Sequence, residues 1–290
     1  MPPMAGPPFD IVVQAPFVAS DDIAHLAALA DPVAIEAIAT RPGATVSAWR
    51  LRGAKRLDGV SETCASASLD CAVVPHGRRL ADLRVLALDM DSTLITIECI
   101  DEIADYAGVK AQVSAVTTSA MRGEIDFRES LLRRVALLAG VPADALESVY
   151  RERLELSPGA QVLLAGVREA GARTLLVSGG FTFFTERLRE RLAFDTAIAN
   201  ELEIEGGRLT GRVVGEVVDA RGKAEAVAAM RRRHAADGGL VAAIGDGAND
   251  LPMLLAADVS VAWHAKPVLR TQATHAVDHG GLDAVLNLFG

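Results

Sequence analysis

The chain has 290 residues, half of them hydrophobic and only 4% aromatic, with a formal net charge of -9. That acidic balance argues against a nucleic-acid-binding role, which needs a basic face. No apolar run reaches transmembrane length, which argues against a helical membrane span.

The first eight residues are rich in Pro and Gly and read as mobile. They lack the basic start and apolar core of a signal peptide. Phe9–Ala15 reads as a strand, and Asp21 is placed to cap a helix carrying Ile23, Leu26 and Leu29. Thr45–Leu51 and Ala67–Val74 are short strand candidates. Pro75-His-Gly-Arg-Arg79 reads as a linker. Residues 1–80 therefore form a small α/β unit without recognisable chemistry. Two roles stay open for it: a structural or oligomerisation module that would join a homodimer, or an ACT-like, amino-acid-sensing regulatory module. Cys64, Cys71 and Cys99 show neither zinc nor redox-pair spacing and read as reduced thiols of a cytoplasmic protein.

From Arg84 onward apolar strands alternate with amphipathic helices, the pattern of βαβ units around a Rossmann-like parallel sheet. The expected strands are Val85–Asp89, Arg173–Ser178, Thr196–Ala199, Leu240–Gly245 and Asp258–Ala262. Ligands of such sheets sit beyond the carboxyl ends of the strands. Between the first two strands lies a helical stretch, Glu98–Glu155, far longer than one crossover needs. Breaks near Gly108, Gly123 and Gly140-Val-Pro142 divide it into four helices. It reads as a helical cap inserted at about 97–156 of an 81–290 domain, leaving the sheet just after Asp91.

Four groups carry chemistry. Asp89 and Asp91 follow a buried apolar run, where carboxylates are costly unless a cation pairs with them. Ser178-Gly179-Gly180 ends a strand before a helix near Phe181, a place suited to phosphate. Taken alone, Ser-Gly-Gly is more often a turn. Lys223 opens a helix, against the dipole, as a lysine held by an anion would. Gly245-Asp-Gly-Ala-Asn-Asp250 repeats the acid at a strand end with Asp246, and Asn249 or Asp250 reads as the cap of the next helix. With Asp89 and Asp91 it supplies the oxygen-rich set that Mg²⁺ prefers. In the cap, a helical wheel with Phe127 at zero puts Leu131 at about 40°, Leu138 at about 20° and Arg134 at about 340°. Arg134 thus shares the apolar face and needs an anionic partner, either a cap glutamate or a ligand. Arg133 points to solvent.

In this order and at these strand ends, the four groups resemble the haloacid-dehalogenase-like phosphatases over residues 84–290. Asp89-Met-Asp-Ser-Thr-Leu, Ser178-Gly-Gly-Phe and Gly245-Asp-Gly-Ala-Asn-Asp are similar to the phosphoserine phosphatase family within them. So are the cap segments beginning Glu98-Cys-Ile-Asp and Met121-Arg-Gly-Glu. The resemblance implies an α/β core with an inserted helical cap and Mg²⁺-dependent hydrolysis of O-phospho-L-serine. It implies that Asp89 is the nucleophile and Asp91 the acid–base. The implied metal ligands are Asp89, the Asp91 carbonyl and Asp246, supported by Asp250. Ser178, Gly179, Lys223 and Asn249 would then bind phosphate or substrate, Arg134 the carboxylate and Glu98 the ammonium. Two alternatives stand: a phosphatase for another small phosphomonoester, and a regulatory amino-acid-binding protein on the same scaffold.

Overall fold

A computed structural model describes residues 9–290, so the reading of the first eight residues lies outside the described part. The chain opens with β1 (Phe9–Ala15), α1 (Ser20–Ala30), β2 (Ala34–Ile38), β3 (Ser47–Ala54), α2 (Val60–Ser66) and β4 (Asp70–Pro75). The strands form an antiparallel sheet in the order β2-β3-β1-β4. Strand periodicity divides β1 between two environments. Ile11 and Val13 pack with Ile23 and Leu26 of α1, whereas Val12 joins the apolar cluster of the larger part of the chain. Asp21 does not cap α1: the N-cap is Ala19, and Asp21 lies inside the first turn, where a negative charge still suits the helix dipole.

The second part comprises β5 (Leu83–Leu88), α3 (Cys99–Tyr106), α4 (Lys110–Met121), α5 (Phe127–Ala136), α6 (Asp144–Glu152) and α7 (Ala160–Glu169). It continues with β6 (Arg173–Phe181), α8 (Thr182–Leu192), β7 (Thr196–Glu205), β8 (Arg208–Val214), α9 (Ala220–His234) and β9 (Leu240–Gly245). It closes with α10 (Leu251–Leu255), β10 (Val259–Trp263), α11 (Pro267–Arg270) and β11 (His275–Val277). The sheet order is β11-β10-β9-β5-β6-β7-β8. Every pairing is parallel except β7 with β8. Leu86 and Leu88 of β5 face one apolar cluster and Val85 and Ala87 the other. That two-sided burial explains why β5 reads as a continuous apolar run.

β5 lies between β6, which follows it through the cap, and β9, which is reached later from the other side. This is the topological switch point, the crevice where open α/β sheets hold their ligands. The four cap helices α3–α6 are separated by Gly108, Gly123 and Gly140, all with positive φ. β7 runs past the expected Ala199 and returns through Gly206-Gly207 as β8. That hairpin braces the cap, because Gly140 and Ala143 donate their N–H groups to Leu209 and Gly207 carbonyls at 2.8 and 2.9 Å.

The two sheets are tied by buried polar contacts. Arg50 donates to the Asn287 and Phe289 carbonyls at 2.8 and 2.7 Å. The Asp70 carboxylate accepts the N–H groups of Asp278, His279 and Gly280.

Candidate active site

Asp89 is the first residue beyond β5 and is 4% exposed. Its Oδ1 accepts the Met90 N–H at 2.7 Å and lies 2.7 Å from Lys223 Nζ. Lys223, in the first turns of α9, is fully buried and also holds Asp250 Oδ1 at 2.7 Å. The anion that keeps a lysine at this helix start is thus a pair of carboxylates. Burial opposes the lysine's charge, yet Asp250 and Asp89 outweigh it and hold its pKa above the ordinary value. Burial and the neighbouring Asp250 push the Asp89 carboxyl well above the usual carboxylate range.

Asp246 follows β9 and accepts the Thr93 hydroxyl on Oδ1 at 2.7 Å. Neither Asn249 nor Asp250 caps α10 through its side chain. Asp250 stands at the N-cap position, but its Oδ2 turns back to accept the Asp246 and Gly247 N–H groups, both at 3.1 Å. Gly245 permits this fold-back, since a Cβ there would lie 2.5 Å from Asp250 Cγ.

Asp89, Asp246 and Asp250 each offer an oxygen within 4.8 Å of the others. Both Asp250 oxygens are engaged, whereas Oδ2 of Asp89 and Oδ2 of Asp246 have no hydrogen bond among the described residues. Three buried or half-buried acids against one lysine leave excess negative charge at an oxygen-only site. That donor set fits a hard divalent cation.

The Asp91 side chain points elsewhere. Its Oδ1 accepts the Cys99 N–H at 3.0 Å, and its Oδ2 accepts the Ser178 hydroxyl at 3.3 Å. Burial raises its pKa, which favours the protonated form that a leaving-group acid needs. Gly180 makes room for it: a Cβ there would stand 2.4 Å from Asp91 Oδ2. Ser178-Gly-Gly is not a turn beyond the strand, because β6 continues to Phe181 and α8 starts at Thr182. The segment is held by Asn200, whose Nδ2 donates to the Gly179 carbonyl at 2.8 Å.

On the cap side, Glu98 accepts the Ser92 hydroxyl at 2.7 Å. Burial and then Asp91 raise its pKa to about 7. Arg133 is exposed and pairs with Glu129, while Arg134 turns inward. Arg134 makes no ion pair among the described residues, so the cap-glutamate partner is not present. Burial pulls its pKa down. A cavity of about 620 Å³ lies between cap and sheet, lined by Asp89, Asp91, Ser178, Gly179, Lys223, Asp246 and Asn249 below and by Glu98 and Arg134 above. Of the expected site residues only Asp250 lies behind the wall, supporting Lys223 and the loop.

Sequence reasoning missed Ser92, Thr93 and Asn200. The two hydroxyls sit beside Asp91 in sequence and were legible as potential partners. Asn200 carried no local signal, because the segment it holds is on another strand.

A family model for haloacid dehalogenase-like hydrolases matches residues 86–255. A phosphoserine phosphatase of Polaromonas sp. is 51% identical over 215 residues, covering 72% of this chain and 91% of that protein. A probable phosphoserine phosphatase from Vibrio cholerae, solved unliganded, superposes with a TM-score of 0.81 at 35% identity. It covers 96% of this chain and 85% of its own, so the likeness extends into the N-terminal sheet. A substrate-bound phosphoserine phosphatase complex matches 72% of this chain and 99% of its own, with a TM-score of 0.66 and 34% identity. The chain belongs to the haloacid dehalogenase-like hydrolases, in the branch that holds the phosphoserine phosphatases.

Proposed function

We propose that this protein hydrolyses O-phospho-L-serine to L-serine and phosphate, the closing step of serine synthesis, through an aspartyl phosphate on Asp89 with Mg²⁺ as cofactor. The observation that carries this reading is the placement of Asp89. It sits buried at the switch point, gripped by Lys223, across one cavity from an arginine without a carboxylate partner. A phosphoamino acid spans the two ends, with its phosphate at Asp89 and its carboxylate at Arg134. A guanidinium suits that carboxylate through two parallel hydrogen bonds.

In this reading Asp89 Oδ2, the oxygen left free by Met90 and Lys223, attacks phosphorus. Asp91, held by Cys99 and Ser178, protonates the departing serine oxygen and then takes a proton from the hydrolytic water. Lys223 and the Ser178–Gly179 segment hold the phosphoryl oxygens, and Asn249 contacts them from the cavity wall. Glu98 receives the ammonium. Asp89, the Asp91 carbonyl and Asp246 would hold Mg²⁺, which when bound neutralises phosphate charge and keeps Asp89 ionised. The cap excludes water from the first step.

We further propose a cytoplasmic location, which the free thiols of Cys64, Cys71 and Cys99 support, and a homodimer joined through the N-terminal sheet. β2 supports the dimer as an edge strand that carries the exposed Ile35, with the exposed Val33 just before it. Sedimentation of the purified protein tests it: a concentration-independent monomer contradicts the dimer. For the activity, Asp89→Asn should fold and lose Mg²⁺-dependent phosphate release by at least about 1,000-fold. Near wild-type turnover by that variant would sink the nucleophile assignment.

A further inference from the structure

Two polar groups in the cavity wall have no partner. Ser130 of α5 is 2% exposed, and its hydroxyl makes no hydrogen bond. Asp101 of α3 has a buried Oδ1 that accepts none. Both residues line the cavity beside Arg134. A buried polar atom left unsatisfied is destabilising, so each such atom calls for an explanation.

Neither is explained by its own helix. A helical Ser or Thr hydroxyl ordinarily bonds back to the carbonyl four residues earlier. Thr117 and Thr118 of the neighbouring α4 do so, to the Val113 and Ser114 carbonyls at 3.2 and 2.9 Å. The corresponding acceptor of Ser130, the Asp126 carbonyl, receives only the Ser130 N–H. Arg134 stands one turn further along, its Nε reaching back to the Ser130 carbonyl at 3.4 Å. The free hydroxyl and the guanidinium are therefore neighbours on one face of α5. Asp101 stands three residues after Glu98, its N–H donating to the Glu98 carbonyl at 3.1 Å, and both residues line the cavity.

The two orphans differ in kind. One is a hydroxyl free to donate beside a cation, and the other is an acceptor beside Glu98. An α-amino-acid zwitterion supplies a match for both. Resting on the phosphatase reading above, we infer that Ser130 and Asp101 are specificity residues. Ser130 donates to the substrate carboxylate alongside Arg134, and Asp101 accepts from the substrate ammonium alongside Glu98.

The test compares O-phospho-L-serine with O-phosphoethanolamine, which lacks the carboxylate, and with 3-phosphoglycerate, which lacks the ammonium. Ser130→Ala should raise KM for O-phospho-L-serine about tenfold with a smaller change in kcat, the scale of a hydrogen bond to a charged group. Its loss on O-phosphoethanolamine should be smaller. Asp101→Asn should show the converse, losing more on O-phospho-L-serine and O-phosphoethanolamine than on 3-phosphoglycerate. Because Ser130→Ala removes an unsatisfied group, its ligand-free melting temperature should not fall, which keeps the kinetic result readable. Equal losses across the three substrates, or a loss confined to kcat, would overturn the inference while leaving the phosphatase reading intact. A wild-type protein inactive on O-phospho-L-serine would overturn the phosphatase reading itself.

Discussion

At the residue scale the site depends on how few partners each carboxylate keeps for itself. Asp250 spends both oxygens on Lys223 and the loop, whereas Asp89 and Asp246 each retain one. Thr93 fixes Asp246, so Thr93→Val should raise the Mg²⁺ concentration for half-maximal activity about tenfold, the usual scale for loss of a ligand's supporting hydrogen bond. An unchanged Mg²⁺ titration would contradict that role. Arg134→Ala should lower kcat/KM for O-phospho-L-serine by about 30-fold or more, and by much less for p-nitrophenyl phosphate, which has no carboxylate. Much of this was legible in the sequence. An acid directly after an apolar run is conspicuous, and Arg134 interrupts a helical apolar face. The detailed division of labour was not legible. Whether Asp250 caps a helix or braces a lysine depends on the backbone of the Gly245 loop, which side-chain pattern does not encode.

At the element scale, the strands buried on both faces and the glycine-punctuated cap helices were readable, because burial and φ > 0 leave compositional traces. β2, α2 and β8 were not. β2 is an edge strand with mostly exposed residues, α2 is only seven residues long, and β8 pairs outside the parallel core. None of them has a strong apolar period. The short edge strand β11 carries a pH-sensitive contact. His275 is buried there with its Nε2 3.1 Å from Arg78 Nη1. Burial first, and Arg78 second, lower its pKa from 6.5 to about 4. A histidine depressed in the fold binds protons more readily when unfolded, so stability is retained above pH 6.5 and lost as pH falls toward 4. The loss should be on the order of 3 kcal/mol. His275→Gln should flatten the melting temperature across that window relative to wild type. Parallel pH curves for the two proteins would contradict the assignment.

At the scale of the whole molecule, the N-terminal sheet shares an apolar cluster with the larger part of the chain and is tied to its last residues. The sequence suggested a linker at Pro75–Arg79 but gave no hint of this union, since its partners are more than two hundred residues apart. Arg50 is 3% exposed and stands 3.6 Å from the fully buried Asp10. Asp10 also keeps Arg52 at 3.6 Å and His76 at 2.9 Å, so Arg50→Ala does not leave its charge alone. The variant should cost about 2 kcal/mol in chemical unfolding, because the Asn287 and Phe289 carbonyls lose their charged donor. A change below about 0.5 kcal/mol would mean that this tie is dispensable. The central claim joins all three scales: the sheet's switch point, the acid cluster and the cap arginine serve one reaction. Phosphate release from O-phospho-L-serine by the wild-type protein, with Mg²⁺ and with EDTA, tests it most directly. The account predicts steady release with Mg²⁺ that EDTA abolishes and added Mg²⁺ restores; no release, or release indifferent to EDTA, would contradict it.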